Sequence, residues 1–154
     1  PFAVLVDYAH TPEALQNVLE AARRITQGRV ISVFGAGGDR DREKRPLMGR
    51  AGAERSDLAI VTSDNPRSEQ PGAIIEEIVA GIDSALIGEG KVVVEPDRRA
   101  AIARALEAAE RDDTVVIAGK GHEQGQEFEL GRKIPFDDRD VAREELRRLT
   151  AAAR

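Results

Sequence analysis

A chain of 154 residues that is 41% hydrophobic and 33% charged has the material for one domain with a substantial core. Its net charge of −5 lacks the basic excess that broad nucleic-acid binding needs, and the absence of cysteine excludes disulfides and thiolate metal sites. No apolar run reaches the roughly 20 residues of a membrane-spanning helix, and no signal-peptide pattern is present.

The chain opens directly on a strand, without an initiator Met, so we expect one domain of a longer polypeptide. FAVLV (2–6) is the first of five short, β-branched runs. Such near-continuous apolar runs suit strands buried on both faces of a parallel sheet. Thr11-Pro12 then offers a capping hydroxyl before a proline at the first helical position. Leu15, Val18, Leu19, Ala22 and Ile25 fall on one face of the helix that follows. VISVF (30–34) is the second strand, and a helix is expected to start near Pro46. LAIVT (58–62) is the third strand, followed by a helix from Pro71 with Ile74, Ile75, Ile78, Val79 and Ile82 inward. KVVVE (91–95) is the fourth, with Asp97 as cap for a helix burying Ile102, Ala105, Leu106 and Ala109. TVVIAG (114–119) is the fifth. EFEL and RKIPF flank Gly131 as a hairpin, and Asp137 or Asp138 opens a last helix through Leu149. This order predicts an α/β domain: a Rossmann-like, doubly wound, mostly parallel sheet with flanking helices, right-handed crossovers and a C-terminal hairpin.

The unusual residues follow the strands. GAGGDRDREKRP, SDNPR and GKGHE leave the carboxyl ends of the second, third and fifth, and DYAH (7–10) leaves the first. Ligands of open α/β sheets bind at that edge. The glycines after the second strand mimic a dinucleotide fingerprint, but Arg40 stands where its third glycine belongs, and no Walker A loop occurs. Arg40 and Arg67 are planar cationic forks suited to carboxylates, Glu123 can accept an ammonium, and Asn65 can donate and accept. Together they suit a zwitterionic amino-acid head. The plainer alternative is that both arginines form surface ion pairs with Asp39, Asp64 or Glu69. Tyr8 fits either a core position or a nucleotide-facing one. His10 and His122 lack a helical H-x-x-x-H spacing, so no structural metal is expected.

Four motifs in order, DYAHTP (7–12), GAGGDRDREKRP (35–46), DNPR (64–67) and AGKGHE (118–123), resemble the C-terminal domain of the Mur ligases, with FDDR (136–139) in support. The likeness covers essentially the whole chain. It is strongest to the branch that adds meso-diaminopimelate to UDP-N-acetylmuramoyl-L-alanyl-D-glutamate in peptidoglycan synthesis.

The resemblance implies a three-domain, cytoplasmic, monomeric ligase. Its other domains hold the UDP-sugar and, with Mg²⁺, ATP; this chain holds the incoming amino acid. It assigns meso-diaminopimelate to Arg40, Asp64, Asn65, Pro66, Arg67, Gly119 and Glu123, and ATP contacts to Asp7, Tyr8 and His10. No catalytic or metal-binding residue is expected in this domain, so the isolated fragment is expected to be inactive. Arg67 is the discriminating residue, because relatives that add L-lysine lack the far carboxylate it would hold. Lysine is then expected to leave Arg67 as an unpaired charge. The competing readings are a non-catalytic amino-acid sensor and a ligase for L-lysine.

Overall fold

The five β-branched runs become the strands of one sheet in the computed structural model, which describes residues 1–153. They are β1 (Ala3–Asp7), β2 (Val30–Phe34), β3 (Leu58–Val61), β4 (Val92–Val94) and β5 (Thr114–Ala118). All pair in parallel, in the order β1-β5-β2-β3-β4. Every residue of β2 and β5 is buried, as central strands covered on both faces must be.

The pleat divides the core in two. Val30 and Phe34 of β2 pack with Leu15 and Leu19 of α1 (Pro12–Ile25), Met48 of α2 (Lys44–Arg55) and Ile78 of α3 (Pro71–Val79). Ile31 and Val33 face the other way, onto Ile102 and Leu106 of α5 (Arg98–Ala108) and Val141 of α6 (Asp138–Ala152). Helices therefore cover both faces, as the alternating pattern predicts. The expected caps form: Thr11 Oγ1 accepts from Ala14 N at 3.1 Å, Asp97 from Ala100 N at 3.0 Å, and Asp137 from Arg139 N at 2.9 Å.

Three local expectations change. α2 starts at Lys44 rather than at Pro46, because Glu43 is already helical (φ −65°, ψ −24°). A short helix, α4 (Ser84–Gly88), follows the Asp83 cap and leaves no hydrophobic periodicity to read. The hairpin is real, but its strands are β6 (Gly125–Glu127) and β7 (Lys133–Pro135). Residues Glu129–Gly131 form a 3₁₀ turn instead of continuing the first strand, with Leu130 at φ +56°. Arg132 stacks its guanidinium over Phe128 at 4.7 Å across that turn.

Candidate functional site

Four loops converge at the carboxyl edge because β5 lies between β1 and β2, with β3 next to β2. Between them is a cavity of about 340 Å³. Its lining includes Arg40 from the β2 loop, Asp64, Asn65 and Arg67 from the β3 loop, Gly119 and Glu123 from the β5 loop, and Tyr8 and His10 from the β1 loop. Asp7 and Pro66 lie just behind. Asp7 Oδ2 accepts from Ala9 N at 2.8 Å and so shapes the turn that carries Tyr8 and His10. Pro66 is a packing surface: a Cβ on Gly38 would sit 1.8 Å from its carbonyl oxygen.

That contact explains the glycine-rich stretch. The β2 and β3 loops are zipped together, with Gly38 N donating to Asn65 O at 2.7 Å and Arg67 Nη1 donating to Gly38 O at 2.8 Å. Only a residue without a side chain allows backbones so close. Gly119 plays the same part across the site. It sits at φ +118°, and a Cβ there would be 2.5 Å from Asp64 Oδ2. Arg67 itself is held at φ +52°, an uncommon conformation for a residue with a side chain.

The arginines do not form the surface pairs considered above. Glu69 accepts two hydrogen bonds from Arg45, at 3.0 and 2.6 Å, and Asp39 bonds Ser68. Asp64 lies against Lys120, 3.6 Å from its Nζ. Arg67 meets a different carboxylate, with its Nε 3.4 Å from Glu127 Oε2. Arg40 donates only to the neighbouring Asp39 carbonyl, and forms no ion pair among the described residues.

Tyr8 is not a core residue. It is 51% exposed, and its ring lies 4.6 Å from that of His10 and 6.3 Å from that of His122. This exposed aromatic surface at the cavity mouth suits the face of a nucleoside. Among the described residues no group of three or more acidic or imidazole side chains is placed to hold a metal.

Beneath the lining residues are buried charges that sequence reasoning overlooked as a supporting layer. Lys120 is fully buried and donates to Asn65 Oδ1 at 2.7 Å. Burial pushes its pKa down, partly opposed by Asp64. Glu127 N also donates to Asn65 Oδ1, at 2.9 Å, so the amide NH₂ is what Asn65 has left to offer a ligand. Arg98 and Asp138 are buried against each other in a bidentate pair at 2.8 and 2.7 Å. Arg98 also donates to Ser63 O at 3.0 Å and Ala118 O at 3.2 Å, the carbonyls just before Asp64 and Gly119. Burial opposes its charge, and Asp138 more than offsets that, leaving the guanidinium pKa raised. Arg45 holds Glu69, Glu77 and the Gly37 carbonyl under the β2 loop. Arg45, with the Asp39 N–H next in strength, draws the Glu69 carboxyl down to about 2. The signal for Arg98 was available: it shares the helix face of Ala101, Ile102 and Ala105, where a solvated arginine has no place.

The model of the Mur ligase glutamate ligase domain matches residues 1–121. The chain is 59% identical over 145 residues to the UDP-N-acetylmuramoyl-L-alanyl-D-glutamate--2,6-diaminopimelate ligase of Gloeobacter violaceus, covering 94% of this chain and 28% of that protein. Against the ligase of the same name from Aquifex aeolicus it is 55% identical over 145 residues, covering 94% and 29%. A solved structure bearing that enzyme name superposes with a TM-score of 0.88 at 44% identity, over 96% of this chain and 29% of that one. The chain thus spans less than a third of the length of these relatives. No described helix is long and apolar enough to cross a membrane. With the family model matched over most of its length and relatives sharing more than half of the aligned residues, the chain belongs to the Mur ligase family, as a glutamate ligase domain.

Proposed function

We propose that this chain is the amino-acid-holding domain of an ATP-dependent ligase that adds meso-diaminopimelate to UDP-N-acetylmuramoyl-L-alanyl-D-glutamate, working in the cytoplasm as a monomer. The observation that carries the reading is the cavity itself. Arg40 and Arg67, both with donor capacity to spare, share it with Glu123 and the free amide end of Asn65. An amino-acid centre has the complementary charges. Its carboxylate fits the two guanidinium groups and its ammonium fits Glu123. The name shared by the relatives above supplies the diamino acid, and Arg67 supplies a reason to require its second carboxylate.

ATP, held by the rest of the protein, supplies the activation of the acceptor carboxylate as an acyl phosphate. The residues of this chain bind and orient. Arg40, Arg67 and Glu123 fix one end of the diamino acid, so its opposite amine is presented to the activated carboxyl group, and positioning of this kind lowers a barrier by several kcal/mol. Tyr8, His10 and His122 offer the nucleoside a surface on which this domain closes, which excludes water from the reacting centre.

The test is Arg67→Ala in the full-length polypeptide that contains this domain. Removing one member of a close charge pair costs about 2–5 kcal/mol, so KM for meso-diaminopimelate rises roughly 30-fold or more. The kcat stays near its original value, since the lost contact is one made equally before and during reaction. An unchanged KM refutes the assignment. Absence of turnover by the unmodified full-length protein favours an amino-acid sensor instead.

A further inference from the structure

Glu127 opens the EFEL stretch of the hairpin and belongs to none of the four motifs that carry the resemblance, yet it touches the discriminating loop in three ways. Its N–H donates to Asn65 Oδ1 at 2.9 Å, its carbonyl accepts from Arg67 N at 3.0 Å, and its carboxylate lies 3.4 Å from Arg67 Nε. The first two contacts use only the backbone of Glu127 and suffice to fasten β6 to the loop. The carboxylate is not needed for that. Its side chain and that of Arg67 are 32% and 20% exposed, so the pair stands at a partly desolvated mouth where charge–charge effects are only partly screened.

This placement alters the arithmetic of selectivity. With Nη1 given to Gly38 O and Nε facing Glu127, the Nη2 edge of Arg67 is the one left for a ligand. A ligand without a far carboxylate does not strand Arg67 as a bare cation, because Glu127 already neutralises it. A ligand with that carboxylate must bring a second negative charge up to the same guanidinium, against the repulsion of the first. The expectation that lysine leaves Arg67 unpaired is therefore corrected.

We propose that Glu127 is a specificity-determining residue, a resident counter-ion that competes with the far carboxylate of the substrate for Arg67 and so limits the preference for meso-diaminopimelate over L-lysine. The inference rests on the ligase reading given above. Removing the Glu127 charge while keeping its shape makes Arg67 more attractive to a carboxylate and more hostile to the far ammonium of lysine. Selectivity then widens.

The experiment compares Glu127→Gln with the unmodified full-length protein, measuring kcat/KM for meso-diaminopimelate and for L-lysine with the UDP-linked dipeptide and ATP saturating. The expected result is a lower KM for meso-diaminopimelate and a higher one for L-lysine. Removing one unit charge a few ångströms from the ligand widens the ratio of kcat/KM values by about tenfold. A side chain that merely braces the loop moves both KM values upward together, and that outcome overturns the inference, as does an unchanged ratio. No turnover of meso-diaminopimelate by the unmodified protein overturns the ligase reading and the inference with it. Turnover with an unchanged ratio overturns the inference alone.

Discussion

Arg40 and Arg67 line the cavity with exposed or partly exposed side chains, while Arg45, which also borders it, and Arg98, beneath its loops, are 1% and 2% exposed. The four are chemically identical and do opposite work. The buried pair spend their donors on the protein: Arg98 on Asp138 and two backbone carbonyls, Arg45 on Glu69, Glu77 and a third carbonyl. The cavity pair bond one backbone carbonyl each, and only Arg67 has a carboxylate beside it. An arginine whose donor nitrogens are committed internally, all of them in Arg98 and both Nη groups in Arg45, holds loops in place; one with exposed donors left over is available to a ligand. The lower layer makes the upper one useful, since Arg98 ties the residue before Asp64 to the residue before Gly119.

The sharpest way to break this comparison is to remove Arg98. Truncating one partner of a buried pair leaves an uncompensated charge and costs about 3–5 kcal/mol. Arg98→Met is expected to lower the unfolding midpoint by about 10 °C or more, at the few degrees per kcal/mol usual for this chain length. Adding Asp138→Leu removes the stranded carboxylate and recovers part of the loss. Recovery stays incomplete because Ser63 O and Ala118 O keep no donor. Thermal unfolding of the two variants checks this. Full recovery in the double variant means the two carbonyl contacts contribute nothing.

This division of labour also marks the limit of what could be read in advance. The sheet was legible because runs such as VISVF bury both faces and have no other stable place. Most site residues were legible because parallel strands deliver their carboxyl-end loops to one edge, whatever the loops contain. Charge pairing was not legible. Nothing local links Arg98 to Asp138, or Arg67 to Glu127, which are 40 and 60 residues apart. Such pairs depend on how the hairpin and α6 dock, and a one-dimensional pattern carries no record of it. The plainer alternative for Arg67 failed for that reason. It proposed carboxylates nearby in sequence, and Glu69 turned out to be committed to Arg45.

A gentler probe uses acid. Glu69 is depressed to about 2 from an ordinary 4.5, mainly by its hydrogen bonds from Arg45. A carboxyl whose folded-state pKa is lowered contributes stability that is complete above the unfolded value and lost as pH falls through the folded one. The Arg45–Glu69 contribution is therefore constant above about pH 5 and disappears as pH falls through about 2. Glu69→Gln is expected to cost about 2 kcal/mol at neutral pH, less than a fully broken pair because Glu77 remains on Arg45. Urea unfolding of both proteins along the acid limb should show their stabilities converging toward pH 2. A gap that stays constant through that limb places the acid sensitivity elsewhere.

The smallest effect on the fold is expected at Arg40, and there the comparison makes its most demanding claim. Arg40 is exposed, with one bond to its neighbour's carbonyl and no ion pair among the described residues. Its removal strands no buried partner. Arg40→Ala should therefore change stability by no more than about 0.5 kcal/mol, as surface substitutions away from special features do. Its binding role needs no folded-state contact, only a guanidinium at the cavity wall. KM for meso-diaminopimelate should rise, by less than for Arg67→Ala, because an exposed charge contributes about 1 kcal/mol or less where a desolvated one contributes several. Steady-state kinetics and thermal unfolding on the same preparation decide it. A loss of stability with no change in KM would move Arg40 into the company of Arg45 and Arg98, and leave Arg67 as the only arginine of the cavity with capacity for a carboxylate.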